Sequence, residues 1–375
     1  MRELQITPHD EGQRLDRFLQ RQLPEAGKGF FYKMLRKKNI TLNGKKAEGN
    51  ERLRAGDTVR LFFSEETLQK LGHSGTGRPG IPDPAAAQQA AVFLRDKGGE
   101  TSYARSVQKA VEGMENNGGY FFLSEHPDRV ILETEDLLII DKPAGVLSQK
   151  AEPGDISLVE MVRTYLAGKG ELTEESGRSY MPGVVNRLDR NTSGLVIAAK
   201  TLPAARELSA CLKERTLEKY YYALVKGSIS EDERTDAWLV KDEKTRKVTV
   251  SRDAVPGAAH IQTAWKILAR GRDCTLLEVH LITGKTHQIR AHLAFIGHPL
   301  AGDVKYGFGT WNAELRRTTG LDRPFLHACR LRFPDHLPYL KEMEGREVEA
   351  PLPEGLRRTM QSLGMGRDAL TASRT

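Results

Sequence analysis

An α+β fold in at least two units is predicted by three features of this chain. Its 375 residues exceed the ~150 typical of one domain, so two or three units are expected. Residues 1–63 interleave helix-period apolar positions with short strand-like runs, and residues 129–362 alternate β runs with helices. Between them, Gly72 to Gly80 and Pro82-Asp83-Pro84 dilute any core pattern, so 64–128 reads as a linker or insertion.

In the first unit an amphipathic helix begins at Arg14-Leu15-Asp16-Arg17, with Leu15, Phe18, Leu19 and Leu23 at three- and four-residue spacing. A second, from Lys28 to Lys38, offers Phe31, Met34 and Leu35 to a core and leaves Lys33, Arg36, Lys37 and Lys38 outward. Short strands follow at Ile40-Thr41-Leu42 and Val59 to Phe63, with an Asn43-Gly44 turn and a basic step at Lys45-Lys46. Residues 1–63 carry 14 Lys or Arg against 8 Asp or Glu, most of the whole chain's net charge of +7. A compact basic unit of this kind favours a polyanion, either nucleic acid or an anionic membrane surface.

Within 64–128, helices are expected at 85–97 and 103–114 and a short strand at 118–123. The larger unit opens at Arg129-Val130-Ile131-Leu132, and 363–375 reads as a flexible tail. A buried strand, Leu137 to Ile140, ends in an Asp141-Lys142-Pro143 turn. Val184-Val185 and Leu195 to Ala199 are two more β runs, interrupted by Asn186-Arg187-Leu188-Asp189-Arg190-Asn191-Thr192-Ser193-Gly194. Folding alone does not demand a carboxylate between two arginines, although a surface turn with a salt bridge is its plainest structural explanation. A helix from Pro203 to Arg215 is expected to bury Ala205, Leu208 and Leu212. In the strand Lys219 to Gly227, Tyr220 and Tyr222 share one face and Tyr221 takes the other. Leu276 to Ile282 alternates likewise, and after Thr283-Gly284 a helix carries Ile289, Leu293 and Ile296 with Arg290 beside them.

No segment approaches the ~20 apolar residues that a membrane span requires, and Met1-Arg2-Glu3-Leu4 leads into no signal-peptide core. A cytoplasmic address without membrane attachment is expected. Cys211, Cys274 and Cys329 are too few and too far apart for a disulfide framework or a zinc knuckle. His287 and His292, five apart, do not share a helix face as residues four apart would, so no metal is expected.

Residues 12–63 resemble the S4 RNA-binding domain in the order of the Arg-Leu-Asp opening, the helix ending in Lys37-Lys38, the Asn-Gly turn and the Gly-Asp before the last strand. The resemblance implies that Lys33, Arg36, Lys37, Lys38, Lys45 and Lys46 contact RNA phosphates; a merely solvated basic face is the alternative. The larger unit resembles the RluA-type RNA pseudouridine synthases through Asp141-Lys142-Pro143-Ala144-Gly145, Arg187 to Gly194, Lys219 to Gly227, Thr283 to His292 and His298 to Asp303. This second resemblance implies a catalytic domain at 129–362 with a mixed, mainly antiparallel sheet flanked by helices. One departure is Asn186, where the family usually has histidine, which questions how the turn is anchored.

The resemblance also assigns roles. Isomerising uridine to pseudouridine cuts the bond from ribose to the base nitrogen, turns the uracil and rejoins it through carbon, without redox change or cofactor. Asp189 is implied as nucleophile or base, Arg290 as the cation that stabilises its charge, and Tyr221 as the ring that packs on the target uracil. Arg187 is implied in displacing the target nucleotide, whose extrusion costs a few kcal/mol. The expected partner is RNA, above all large-subunit ribosomal RNA, with transfer RNA as an alternative. A monomer is expected, because such chains need no second copy to complete the site. Two other classes compete: a non-catalytic RNA-binding or ribosome-assembly protein, and a glycoside hydrolase, which normally needs two opposed carboxyl groups.

Overall fold

The computed structural model describes residues 1–7, 10–23, 25–71, 123, 126–152, 155–172, 180–242 and 248–370. The helices expected at 85–97 and 103–114, and the strand at 118–122, lie outside them.

The amino-terminal unit contains strand β1 (Arg2–Gln5), helices α1 (Leu15–Gln22) and α2 (Lys28–Arg36), and strands β2 (Ile40–Leu42), β3 (Lys45–Lys46) and β4 (Thr58–Leu61). Its sheet runs β1-β4-β2-β3, every pair antiparallel. Leu15, Phe18 and Leu19 of α1 and Phe31 and Leu35 of α2 pack on Ile40, Val59 and Leu61, as the helical spacing predicts. Two features correct the sequence reading. β1, a strand the sequence did not announce, joins the sheet edge within the expected unit of residues 1–63 and ahead of the S4-like stretch at 12–63. Helix α3 (Glu65–Leu71), which falls in the expected linker, places Leu68 in the same core.

The larger unit is built on one sheet. Its strands are β5 (Val130–Glu133), β6 (Leu137–Lys142), β7 (Gly183–Val184), β8 (Ser193–Ala199), β9 (Glu218–Lys226), β10 (Glu233–Lys241), β11 (Val248–Ser251), β12 (Ala259–Gly271), β13 (Cys274–Leu281), β14 (Leu326–Arg332) and β15 (Glu347–Glu349). They run β11-β10-β12-β13-β9-β14-β8-β6-β5, with β7 beside β8 and β15 beside β14. Among the described strands every pairing is antiparallel except β8 with β14. The sheet is therefore mixed and mainly antiparallel, as expected.

Both faces are covered, so the central strands β6 and β8 are buried along their whole length. On one face, helices α4 (Leu158–Gly168) and α6 (Gln288–Phe295) pack Leu158, Val162, Leu166, Ile289 and Leu293 against Leu138, Ile140, Val196, Ala223 and Val279. Leu123, the isolated described residue of the insertion, joins that core. On the other face helix α5 (Leu202–Glu214) covers Leu137, Ile139, Leu195 and Ile197. Its fully buried residues are Ala204, Leu208 and Cys211, one position off the expected Ala205 and Leu212, which are half-buried. Helices α7 (Gly309–Thr319) and α8 (Glu354–Ser362) cover β9 and β13 through Trp311, Leu315 and Met360. Met365 is 3% exposed in this cluster, so the expected flexible tail is packed as far as residue 370.

The parallel pair β8·β14 depends on Gly194. Its φ of +113° is one that L side chains rarely adopt, and a Cβ there would lie 2.2 Å from the Ala328 carbonyl oxygen. Beside it, the Ser193 hydroxyl meets His327 Nδ1 at 3.0 Å. The close approach brings the start of β8, and the turn that precedes it, into the middle of the sheet. The units touch where Arg206 of α5 donates to the Glu11 carbonyl at 2.5 Å. Among the described residues no helix is long and apolar enough to cross a membrane.

Candidate active site

The charged turn between β7 and β8 is held from three sides. Asn186, 8% exposed, accepts from the Ile197 amide at 2.7 Å and donates to the Leu195 carbonyl at 3.2 Å, stitching the turn to β8. The family's usual histidine is thus replaced by a side chain whose amide satisfies one donor and one acceptor of a buried strand. Ser148 Oγ accepts from the Leu188 amide and donates to its carbonyl, both at 3.0 Å. Lys142, fully buried, donates to the carbonyls of Val146 at 2.8 Å, Pro143 at 3.0 Å and Arg190 at 3.1 Å. Burial pushes its ammonium down to about 7. Three carbonyl acceptors nevertheless call for three N–H donors, which only the charged form has.

Asp189 sits at the crest of this turn with its side chain 26% exposed. Arg290 Nη1 donates to its Oδ2 at 2.8 Å. The same guanidinium makes a two-point bond to Asp303, Nε to Oδ2 at 2.7 Å and Nη2 to Oδ1 at 3.0 Å. Asp303 is completely buried, and its Oδ1 also accepts from the amides of Lys305 at 2.9 Å and Tyr306 at 3.2 Å. These bonds outweigh burial and hold the Asp303 carboxyl below its ordinary range, while the two carboxylates raise Arg290. Arg290 therefore has a fixed direction, and it reaches Asp189 through one oxygen only. Oδ1 of Asp189 accepts no hydrogen bond among the described residues.

Tyr221, on the face of β9 opposite Tyr220 and Tyr222, is 5% exposed. It lines a recess of about 60 Å³ with Arg187, Asp189, Thr192, Leu281, Lys285, His287, Arg290 and Leu326. Burial raises its phenol, and the negative charge of Asp189 raises it further. Arg187 is exposed at the rim, its guanidinium 3.5 Å from Gln149 Oε1. A larger recess of about 580 Å³ shares no lining residue with this one and is bordered by the ion pairs of Glu133 with Lys169 and Lys200.

The structure thus brings Asp189, Arg290, Tyr221 and Arg187 to one recess. Lys33, Arg36, Lys37, Lys38, Lys45 and Lys46 are all exposed on the amino-terminal unit, and none forms an ion pair among the described residues. His287 and His292 diverge: His287 faces the recess, and His292 Nδ1 meets Thr263 Oγ1 at 2.9 Å in the core. The three cysteines are free and buried. The sequence reading missed Asp303, His287, Tyr306 and Lys142 as site residues. The fragments Asp141-Lys142-Pro143, Thr283 to His292 and His298 to Asp303 contain three of them, Lys142, His287 and Asp303, and no spacing tied residue 303 to residue 290.

Residues 136–295 match the family model for RNA pseudouridylate synthase. The chain is 31% identical over 368 residues to ribosomal large subunit pseudouridine synthase C of Vibrio vulnificus, covering 97% of this chain and 98% of that one. It is 30% identical over 367 residues to the protein of the same name in Escherichia coli, covering 96% of each. Among solved structures, human RNA pseudouridylate synthase domain containing 4 superposes with a TM-score of 0.51 at 20% identity, over 64% of this chain and 94% of that one, a likeness of fold. Near-complete matching to these relatives, on a mixed sheet flanked by helices, makes this chain a member of the RluA-type RNA pseudouridine synthase family.

Proposed function

We propose that this enzyme converts specific uridines of large-subunit ribosomal RNA to pseudouridine, with Asp189 as the reacting carboxylate. The observation that carries the reading is the Asp303–Arg290–Asp189 array opening onto a recess shared with Tyr221. In the isomerisation the bond from N1 to C1′ breaks and one from C5 to C1′ forms. A proton leaves C5 and one is gained at N1. A carboxylate tethered through Oδ2 keeps Oδ1 for the ribose, as nucleophile or as base. Tyr221, which lines the same recess, is the ring that stacks on the turning uracil in this reading. Arg187, exposed at the rim, is suited to the space that a flipped nucleotide vacates.

The amino-terminal unit is the RNA-holding module in this reading, of S4 type. Its six exposed cations offer phosphates a surface whose contacts offset the cost of base flipping. The rRNA assignment draws on the relatives named for the large ribosomal subunit, which match this chain from end to end. The site residues named above come from one chain, which supports a working monomer, and ribosomal RNA as substrate supports a cytoplasmic address.

Release of tritium from 5-³H-uridine in a large-subunit rRNA transcript, with pseudouridine mapping of rRNA from cells with and without the protein, tests this. Expected is a small number of positions that lose pseudouridine when the protein is absent. Free uracil would identify a glycosidase, RNA binding without pseudouridine a binding protein, and loss confined to transfer RNA a different substrate.

A further inference from the structure

His287 begins α6 with φ +54°, a left-handed conformation uncommon for a residue other than glycine. Its ring is held by a hydrogen bond at Nδ1 and turns Nε2 towards a carboxylate. Nδ1 lies 2.9 Å from the Tyr306 hydroxyl, and Nε2 lies 3.8 Å from Asp189 Oδ2, the oxygen that Arg290 already holds. The Tyr306 oxygen also accepts from the Val248 amide at 3.2 Å, which leaves the phenolic proton for His287 Nδ1. A neutral imidazole that accepts at Nδ1 carries its proton on Nε2, so an N–H faces the carboxylate. The opposite tautomer would aim a lone pair at Asp189. Tyr306 is itself fixed, with its backbone amide on Asp303 and the Arg290 guanidinium 5.3 Å over its ring.

We propose that His287 is a positioning residue for Asp189, in which a neutral imidazole oriented by Tyr306 helps confine the carboxylate through Oδ2 and its protonation shuts the site down. The proposal rests on Asp189 being the reacting group. In neutral form His287 adds a weak donor on the side of Oδ2 and leaves Oδ1 to substrate. When protonated it becomes a second cation beside a carboxylate that already has Arg290, and the carboxylate is drawn from the ribose and loses nucleophilicity. The charged and titratable groups facing the ring are Asp189 from the turn before β8, Arg290 from α6, and Asp303, Lys305 and Tyr306 from the segment after α6, with Lys285 on the same recess. Burial and the cations of Arg290 and Lys305 lower the imidazole, Asp189 and Asp303 oppose them, and the balance favours the neutral ring.

The test is single-turnover pseudouridine formation against pH for the full-length wild type, His287→Gln and Tyr306→Phe, with Asp189→Asn as control. Glutamine keeps an N–H donor but does not titrate. Expected for His287→Gln is a rate lower by roughly 10–100-fold at neutral pH, with RNA affinity little changed and the His-dependent part of the acid limb gone. Tyr306→Phe, which frees the ring, should shift that limb instead of removing it. A ¹⁵N spectrum of histidine-labelled protein should show the Nε2–H tautomer for His287. A His287→Gln profile of unchanged shape, or an Nδ1–H tautomer, overturns the inference. Absence of pseudouridine with the wild type would instead overturn the function proposed for the chain.

Discussion

Arg290 and Lys37 are both cations in an RNA-modifying enzyme, and their surroundings are opposite. Arg290 is nearly enclosed and holds two carboxylates at 2.7–3.0 Å, one of them fully buried. Lys37, with Lys33, Arg36, Lys38, Lys45 and Lys46, stands in solvent without an ion pair among the described residues. A buried cation that has lost its water is strongly destabilising unless paired, so Arg290 is committed to its neighbours and serves geometry. In the proposed reading the exposed six keep their hydration until a phosphate displaces it, and would serve affinity that varies with salt.

The largest effect expected from this contrast is at the anion that Arg290 serves. Asp189→Asn should lower pseudouridine formation roughly 10³-fold or more and leave melting temperature and RNA affinity nearly unchanged. Substantial residual turnover in the tritium assay would separate Asp189 from the chemistry. Next come the partners. Arg290→Met should lower the rate roughly 10²–10³-fold, and both it and Asp303→Asn should cost about 3–5 kcal/mol of stability, because each strands a buried charge or donor. Urea melts that coincide with wild type would mean the array is looser than its distances indicate.

A smaller effect concerns acid. His292, on α6, and His327, beside Ser193, are buried, and burial holds each down to about 4 against an ordinary 6.5. Between those values the unfolded chain binds protons that the folded chain refuses, so stability is complete above 6.5 and falls as pH drops towards 4. Each contributes at most about 3 kcal/mol to that fall. Equal urea midpoints at pH 7.5 and 5 would break this expectation. Smallest in energy is the outer face. Converting the six exposed cations to Gln should lower the slope of log K against log salt by roughly 0.7–0.9 for each phosphate no longer neutralised, while turnover of a saturating minimal stem-loop survives. An unchanged slope would mean that face is only solvated, and the contrast with Arg290 would lose its functional meaning.

The same contrast explains what was legible in the sequence. Amphipathic helices α1 and α2 and the buried strands β6 and β8 announce themselves by period, because one face or both must be apolar. Asp189 stands out since a carboxylate between arginines interrupts two β runs. Helix α4 went unread although Ser157 and Glu160 form a capping box ahead of Leu158, a signal written in the sequence. So did β10 to β12, whose alternating Ala237 and Leu239, then Val248 and Val250, are there to be read. Other features could not be read. Asp303 becomes a partner of Arg290 only when the chain returns past α6, and the left-handed start of that helix at His287 has no glycine to betray it. Asn186 stood as a departure that questioned the anchoring of the turn, and its meaning depends on which β8 backbone groups it meets.

The pairing of β8 with β14 sets a time as well as a place. Ser193 meets His327 across 134 residues, and Asp189 meets Arg290 across 101. Contacts so distant in sequence form late. A nascent chain still short of Leu326 lacks the strand against which Gly194 packs, so its charged turn has no floor. The site is therefore complete only in a chain that has been made past Ala328, well after Asp189 itself has emerged.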